Sequence, residues 1–225
     1  MREEAGATGG GRTILAELRG GLVLARDVRG FRQYLVVRAL LLAVELAMPV
    51  FVLQANAHGA AAAGDLPVYV FAVALSAVIA SPFWGRFADR ASETVMALSG
   101  ALGAIAGIGM IAVPALLPDL TSSYVMAIFF VLLGIAEAGI RLGRKTYLVD
   151  GAPAEERALY TAFSNTVIGV LAFAGFAFGI LADVVAPAAA IAVVVALALA
   201  GTLAARALPP AERMTEGQDA TARPD

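Results

Sequence analysis

Cysteine is absent from the 225 residues, which excludes a disulfide framework, a thiolate metal site and a cysteine nucleophile. Histidine occurs once, as His58 among alanines and glycines, so no multi-histidine metal centre is available and a solvated loop position is expected. Of the 16 basic residues only Lys145 is a lysine. Charge is scarce at 15% of the chain, against 60% hydrophobic residues and a mean hydropathy of +0.82. Soluble domains run near half apolar and a quarter charged, so this composition describes an integral membrane protein. The apolar stretches hold no HExxH, no GxSxG and no Asp–Asp pair. Intramembrane hydrolysis needs such groups converging on one reacting atom. The chain is therefore expected not to be an enzyme and to carry no cofactor and no metal. No continuous apolar run precedes a small-residue cleavage site near the start, so no removable signal peptide is expected.

Six apolar runs are present, at about 34–53, 66–83, 94–117, 123–140, 159–182 and 187–205. A stretch of about 18 or more apolar residues with few charges reads as a membrane-spanning helix. Residues 1–12 are polar and Gly-rich and are expected to be disordered. From Thr13 to Gly30, Ile14, Leu18, Leu22 and Ala25 fall at helical spacing among arginines, which predicts an amphipathic helix lying along the membrane. The expected organisation is a basic lead-in over 1–30, a six-helix bundle over 31–206 and a disordered tail over 207–225.

The loops sort by charge. Arginine is dense before the first run, and Arg86 and Arg90 lie between the second and third. Arg141, Arg144, Lys145 and Arg157 follow the fourth, and Arg206, Arg213 and Arg223 follow the sixth. The three intervening loops, 54–65, around Pro118 and Asp119, and 183–186, have no Lys or Arg. Basic residues in short loops are retained on the cytoplasmic side, so this alternation predicts both termini in the cytoplasm and a multi-pass protein of the cell (inner) membrane.

The runs also differ in polarity. Ionisable residues inside a span are costly and face a protein interior or a water-filled cavity. They fall in the first run (Arg38, Glu45) and the fourth (Glu137, Arg141), whereas the third and sixth carry none and are expected to face lipid. That period of three helices is the signature of a 3+3 inverted repeat. Gly103/Gly107 and Gly175/Gly179 have the spacing that lets helix backbones approach, and they are expected to make contacts inside the bundle.

The segment Ser81-Pro82-Phe83-Trp84-Gly85-Arg86-Phe87-Ala88-Asp89-Arg90-Ala91-Ser92 reads as a charged hairpin between the second and third spans. It resembles the loop motif Gly-x-Leu-Ala-Asp-Arg-x-Gly-Arg-Lys of the major facilitator superfamily. Gly85, Ala88, Asp89 and Arg90 match in place and Phe87 stands for Leu, while Ser92, Glu93 and Thr94 depart from Gly-Arg-Lys. Glu137-Ala-Gly-Ile-Arg141-Leu-Gly-Arg144-Lys145 is similar to the acidic-to-Arg spacing at the cytoplasmic end of the fourth helix of a half. Family members keep the loop motif better in their N-terminal half, so the degenerate copy here implies a C-terminal six-helix half. Arg12 to Arg32 would then correspond to the linker before the seventh helix. The fold implied is all-α, with six transmembrane helices in a 3+3 inverted-repeat bundle.

The resemblance implies secondary active transport of a small solute by alternating access. Arg38, Glu45, Gln54, Glu137, Arg141 and Asn165 are the expected substrate or proton pathway, and Gly85, Arg86, Asp89, Arg90 and Arg144 the gating loop. Glu45, near mid-membrane, is the candidate proton carrier; the other reading is that it pairs with an arginine to hold helices together. Counted from the ends of the apolar runs, Arg38 and Glu137 share a depth, which predicts an Arg38–Glu137–Arg141 cluster. Expected partners are membrane lipid, a small-molecule substrate and a second six-helix half or a homodimer, with no nucleic acid. A non-transporting membrane fragment or scaffold subunit is the competing reading, and a membrane enzyme the other.

Overall fold

The computed structural model describes residues 14–59 and 66–215. Helix α1 (Ile14–Asp27) leads into α2 (Arg29–Glu45) and α3 (Met48–Ala57). These are followed by α4 (Leu66–Leu116), α5 (Ser123–Gly151), α6 (Arg157–Ala172), α7 (Gly175–Val184) and α8 (Pro187–Arg206). Among the described residues no strand occurs, and the architecture is the all-α six-helix half that the sequence predicts. Residues 1–13, 60–65 and 216–225, with the expectations made for them, lie outside the described residues.

Local chemistry sets the element ends. Pro49 lacks an N–H, and its ring crowds the carbonyl four residues back, that of Glu45. The first span is accordingly split at Leu46–Ala47 into α2 and α3. Ser122 caps α5 by accepting the Val125 N–H at 3.4 Å. Ala152, extended ahead of Pro153 (φ −88°, ψ 135°), ends it, as the residue before proline tends to. Pro187 opens α8 where a missing N–H costs nothing.

Helix α4 is 51 residues long, which if straight would span about 75 Å, far more than a bilayer core of about 30 Å. It breaks at Ala91 (φ −158°, ψ 74°). Trp84 and Ser99, one on each side of the break, both lie against the α carbon of Gly139. The limbs 66–90 and 92–116 therefore run antiparallel, as the second and third spans. The charged segment 81–90 is helix and not an open loop: the reversal is condensed into one residue, and helix continues beyond Phe83 because Trp84 and Ala88 remain buried. Likewise α5 runs on to Gly151, so Arg141, Arg144 and Lys145 stand on a helix and not in a loop.

The third and sixth spans, expected to face lipid, each keep one exposed apolar face, with Leu98, Ile105 and Ile108 on the third and Leu199 and Leu203 on the sixth, and pack the other face into the bundle. A Cβ on Gly100 would lie 2.7 Å from Leu41 and 2.6 Å from Thr202. A Cβ on Gly103 would lie 2.8 Å from Val44, one on Gly107 2.5 Å from Val195, and one on Gly201 2.7 Å from Leu41. Small residues allow this close approach on the packed face. The Gly103/Gly107 pair is thus an internal contact. In the fifth span a Cβ on Gly175 would lie 3.1 Å from Leu46, while Gly179 faces open space.

Residues 207–215 of the tail pack on the bundle, against the expectation of disorder there. Tyr147 Oη donates to the Pro209 carbonyl at 3.1 Å, and a 3-10 turn covers Ala211–Arg213. Met214, 1% exposed, sits between Gly30 of α2 and Gly151 of α5, whose missing side chains make its seat.

Candidate functional site

Aromatic stacking assembles the basic end of the bundle. Phe31 meets Tyr160 edge-on at 4.6 Å, joining α2 to α6. Tyr34 stacks on Tyr147 at 5.4 Å, joining α2 to α5, and its hydroxyl donates to the Arg144 carbonyl at 3.1 Å. One helical turn beyond Tyr34 on the same face stands Arg38, which is 8% exposed.

Arg38 is held from the fifth span. Its Nη1 donates to Ser164 Oγ at 2.5 Å and its Nη2 to Asn165 Oδ1 at 2.8 Å. Ser164 can accept because its own proton goes to the Thr161 carbonyl at 3.2 Å. Arg38 Nε is buried and has no partner. Beside it Arg144 Nη1 forms an ion pair with Glu45 Oε2 at 3.0 Å. Pro49 fixes where this happens, since the kink it imposes falls at Glu45.

A cleft of ≈ 230 Å³ opens between α2, α5 and α6, lined by Tyr34, Arg38, Arg144, Lys145, Leu148, Val149, Thr161 and Asn165. Of the residues expected on the pathway, Arg38 and Asn165 line it, and Glu45 stands behind it paired to Arg144. Gln54 is buried further along the first span, on α3, and is not in the lining.

The Arg38–Glu137–Arg141 cluster does not form. The Arg38 guanidinium is engaged by Ser164 and Asn165 of the fifth span and not by Glu137. Glu137 is half-buried with Arg141 and Glu45 as the charges acting on it. Arg144, and not Glu137 or Arg141, is the charged fourth-span residue that lines the cleft together with Arg38 and Lys145. It is the residue that closes on Glu45, the pairing role considered for that carboxylate.

The expected gating residues are not brought to this cluster. Arg86 Nη1 folds back on the Pro82 carbonyl at 3.2 Å. Gly85 faces open space, and Asp89 and Arg90 are exposed at the helix end. What holds this corner is Trp84, whose Nε1 donates to the Ile135 carbonyl of α5 at 2.9 Å.

Sequence reading missed Tyr34, Ser164 and Lys145 as members of the site. The available signals were Tyr34 at i−4 from Arg38, and the polar pair Ser164-Asn165 inside an otherwise apolar run. Among the described residues no cluster of His, Cys, Asp and Glu could hold a metal.

The family model described as Major Facilitator Superfamily matches residues 34–224. No curated protein and no solved structure matches the chain.

Proposed function

Because the chain belongs to the major facilitator superfamily, a family of multi-pass membrane transporters, we propose that it is the C-terminal half of a secondary active transporter of small solutes, working by alternating access. The observation that carries this reading is the polar cluster shared by the first, fourth and fifth spans. Arg38 bonded to Ser164 and Asn165, and Arg144 paired with Glu45, stand side by side at a cleft in a protein otherwise composed of apolar helices. Charges are retained at membrane depth where they face a cavity or pathway. In such transporters the site lies where two repeats meet, and access alternates by rocking of one against the other. A second six-helix unit is therefore required, either an N-terminal half or a second copy of this chain.

In this reading the basic ends of the helices and both termini are cytoplasmic, in the inner membrane of the cell. The ion pair Glu45–Arg144 is the element placed to change partners during the cycle, with Glu45 carrying the coupled proton. A non-transporting scaffold is the competing reading, and one experiment separates them. The chain is reconstituted in liposomes alone and with a co-expressed N-terminal half, and counterflow is measured across a panel of labelled solutes. Transport is expected with the second unit and not with the monomer. A monodisperse monomer that transports, or no transport in either preparation, refutes the proposal.

A further inference from the structure

The lining of the cleft is unbalanced in charge. It contains Arg38, Arg144 and Lys145 and no carboxylate. Glu45 acts on Arg38 from behind the lining, but its Oε2 is taken by Arg144 at 3.0 Å. Arg38 itself meets neutral oxygens, those of Ser164 and Asn165, with the Tyr34 hydroxyl beside it.

A guanidinium more than nine-tenths buried, with its Nε unpartnered, is an incomplete arrangement. Taking such a charge from water is offset only by good pairing and filled hydrogen-bond positions. The planar fork of Arg matches a carboxylate or phosphate in a bidentate manner. The volume of ≈ 230 Å³ is below the roughly 300–1,000 Å³ of drug-sized pockets, so the complement is small. Tyr34, Thr161 and Asn165 add neutral polar groups at the rim.

We infer that this cleft binds a small anion bearing a carboxylate or phosphate group, seated on Arg38, Arg144 and Lys145. If the transport reading above holds, on which this last step rests, the transported solute is anionic.

The anion and Glu45 compete for Arg144. That competition gives a signature that a merely structural arginine cluster lacks: Glu45→Gln strengthens anion binding while removing a charge from the protein.

The test is calorimetric titration of the full chain in phosphatidylcholine nanodiscs, with inorganic phosphate and succinate as probes. Saturable binding is expected for one or both. Lys145→Gln, at an exposed position that keeps the fold, weakens it about tenfold, the loss of one charge-assisted contact. Arg38→Gln abolishes it, and Glu45→Gln tightens it by about tenfold on the same basis. Nanodiscs containing phosphatidylglycerol distinguish the source of the anion. If that lipid displaces phosphate with the same dependence on Lys145, the anion site stands and its occupant is a lipid headgroup, which overturns the substrate assignment. Absence of saturable binding to the folded wild type, or binding indifferent to Lys145→Gln and Glu45→Gln, overturns the site. Anion binding without transport refutes the transport reading alone. Transport of a neutral or cationic solute without anion binding refutes this inference alone.

Discussion

Removing the charge of Glu45 separates the observed pairing from the one that depth counting predicts. Glu45 and Arg144 meet at 3.0 Å with 18% and 19% of their side chains exposed. Exposed pairs contribute about 0.2–1 kcal/mol, whereas removing one partner of a fully buried pair costs about 3–5 kcal/mol. A pair with a fifth of its surface exposed lies between these limits, so Glu45→Gln or Arg144→Gln is expected to cost about 2 kcal/mol. The double mutant costs less than the sum, because no charge is left stranded, giving a coupling energy of about 1–2 kcal/mol. The parallel cycle for Arg38 and Glu137 gives a coupling near zero, since the Arg38 guanidinium is engaged by Ser164 and Asn165. Both cycles are measured by reversible unfolding in mixed micelles, titrating a denaturing detergent. Coupling near zero for Glu45–Arg144, or of about 1 kcal/mol or more for Arg38–Glu137, refutes the arrangement described.

Three further outcomes follow from the packing. Gly139→Ala drives a methyl into Ser99 Oγ and to within 3.0 Å of Trp84 Cε2, so it destabilises by about 1–3 kcal/mol; Ser99→Ala in the same chain restores part of that loss in an unfolding titration. Gly30→Leu places side-chain atoms where Met214 Cα stands 2.9 Å from the Cβ position, which displaces the tail, and limited trypsinolysis at Arg213 becomes faster than in the wild type while the bundle stays folded; unchanged cleavage refutes the tail's seat. The absence of cysteine allows single-cysteine labelling without background: His58→Cys and Asp183→Cys react with an impermeant thiol reagent added outside intact cells, Arg90→Cys does not, and labelling of Arg90→Cys overturns the proposed orientation.

The six spans were legible because apolar length is a property of composition, and a bilayer demands about 20 residues per helix whatever the packing. Their ends were less so. Helix α5 continues to Gly151 because its last turns still bury Tyr147 and Leu148 and seat Met214. Polarity along that stretch signals an exit from lipid but not an end of helix. For the third and sixth spans the lack of charge signalled the exposed apolar face that Ile105 and Leu203 belong to, but not the packed face opposite. Their glycines are small because Leu41, Val44 and Val195 occupy the space beside them, which is a property of the neighbours.

Within the site, the identities of Arg38, Glu45, Asn165 and Arg144 could be named from sequence, but their pairing could not. Pairing depends on depth and on the direction each helix face points. Depth counted from the apolar runs placed Glu137 opposite Arg38, because the runs end short of the helices: α2 begins at Arg29 and α5 continues to Gly151. Direction is set by aromatic contacts. Tyr34 stacked on Tyr147 brings Arg144 toward the first span, and Phe31 against Tyr160 brings Ser164 and Asn165 to Arg38. The aromatic layer therefore does for the charges what the sequence pattern alone cannot. It fixes which helix faces meet, and so leaves Glu45 to Arg144 and leaves Arg38 without a carboxylate. That remaining vacancy in the charge pairing, and not any single motif, is the feature from which the chemistry of the cleft follows.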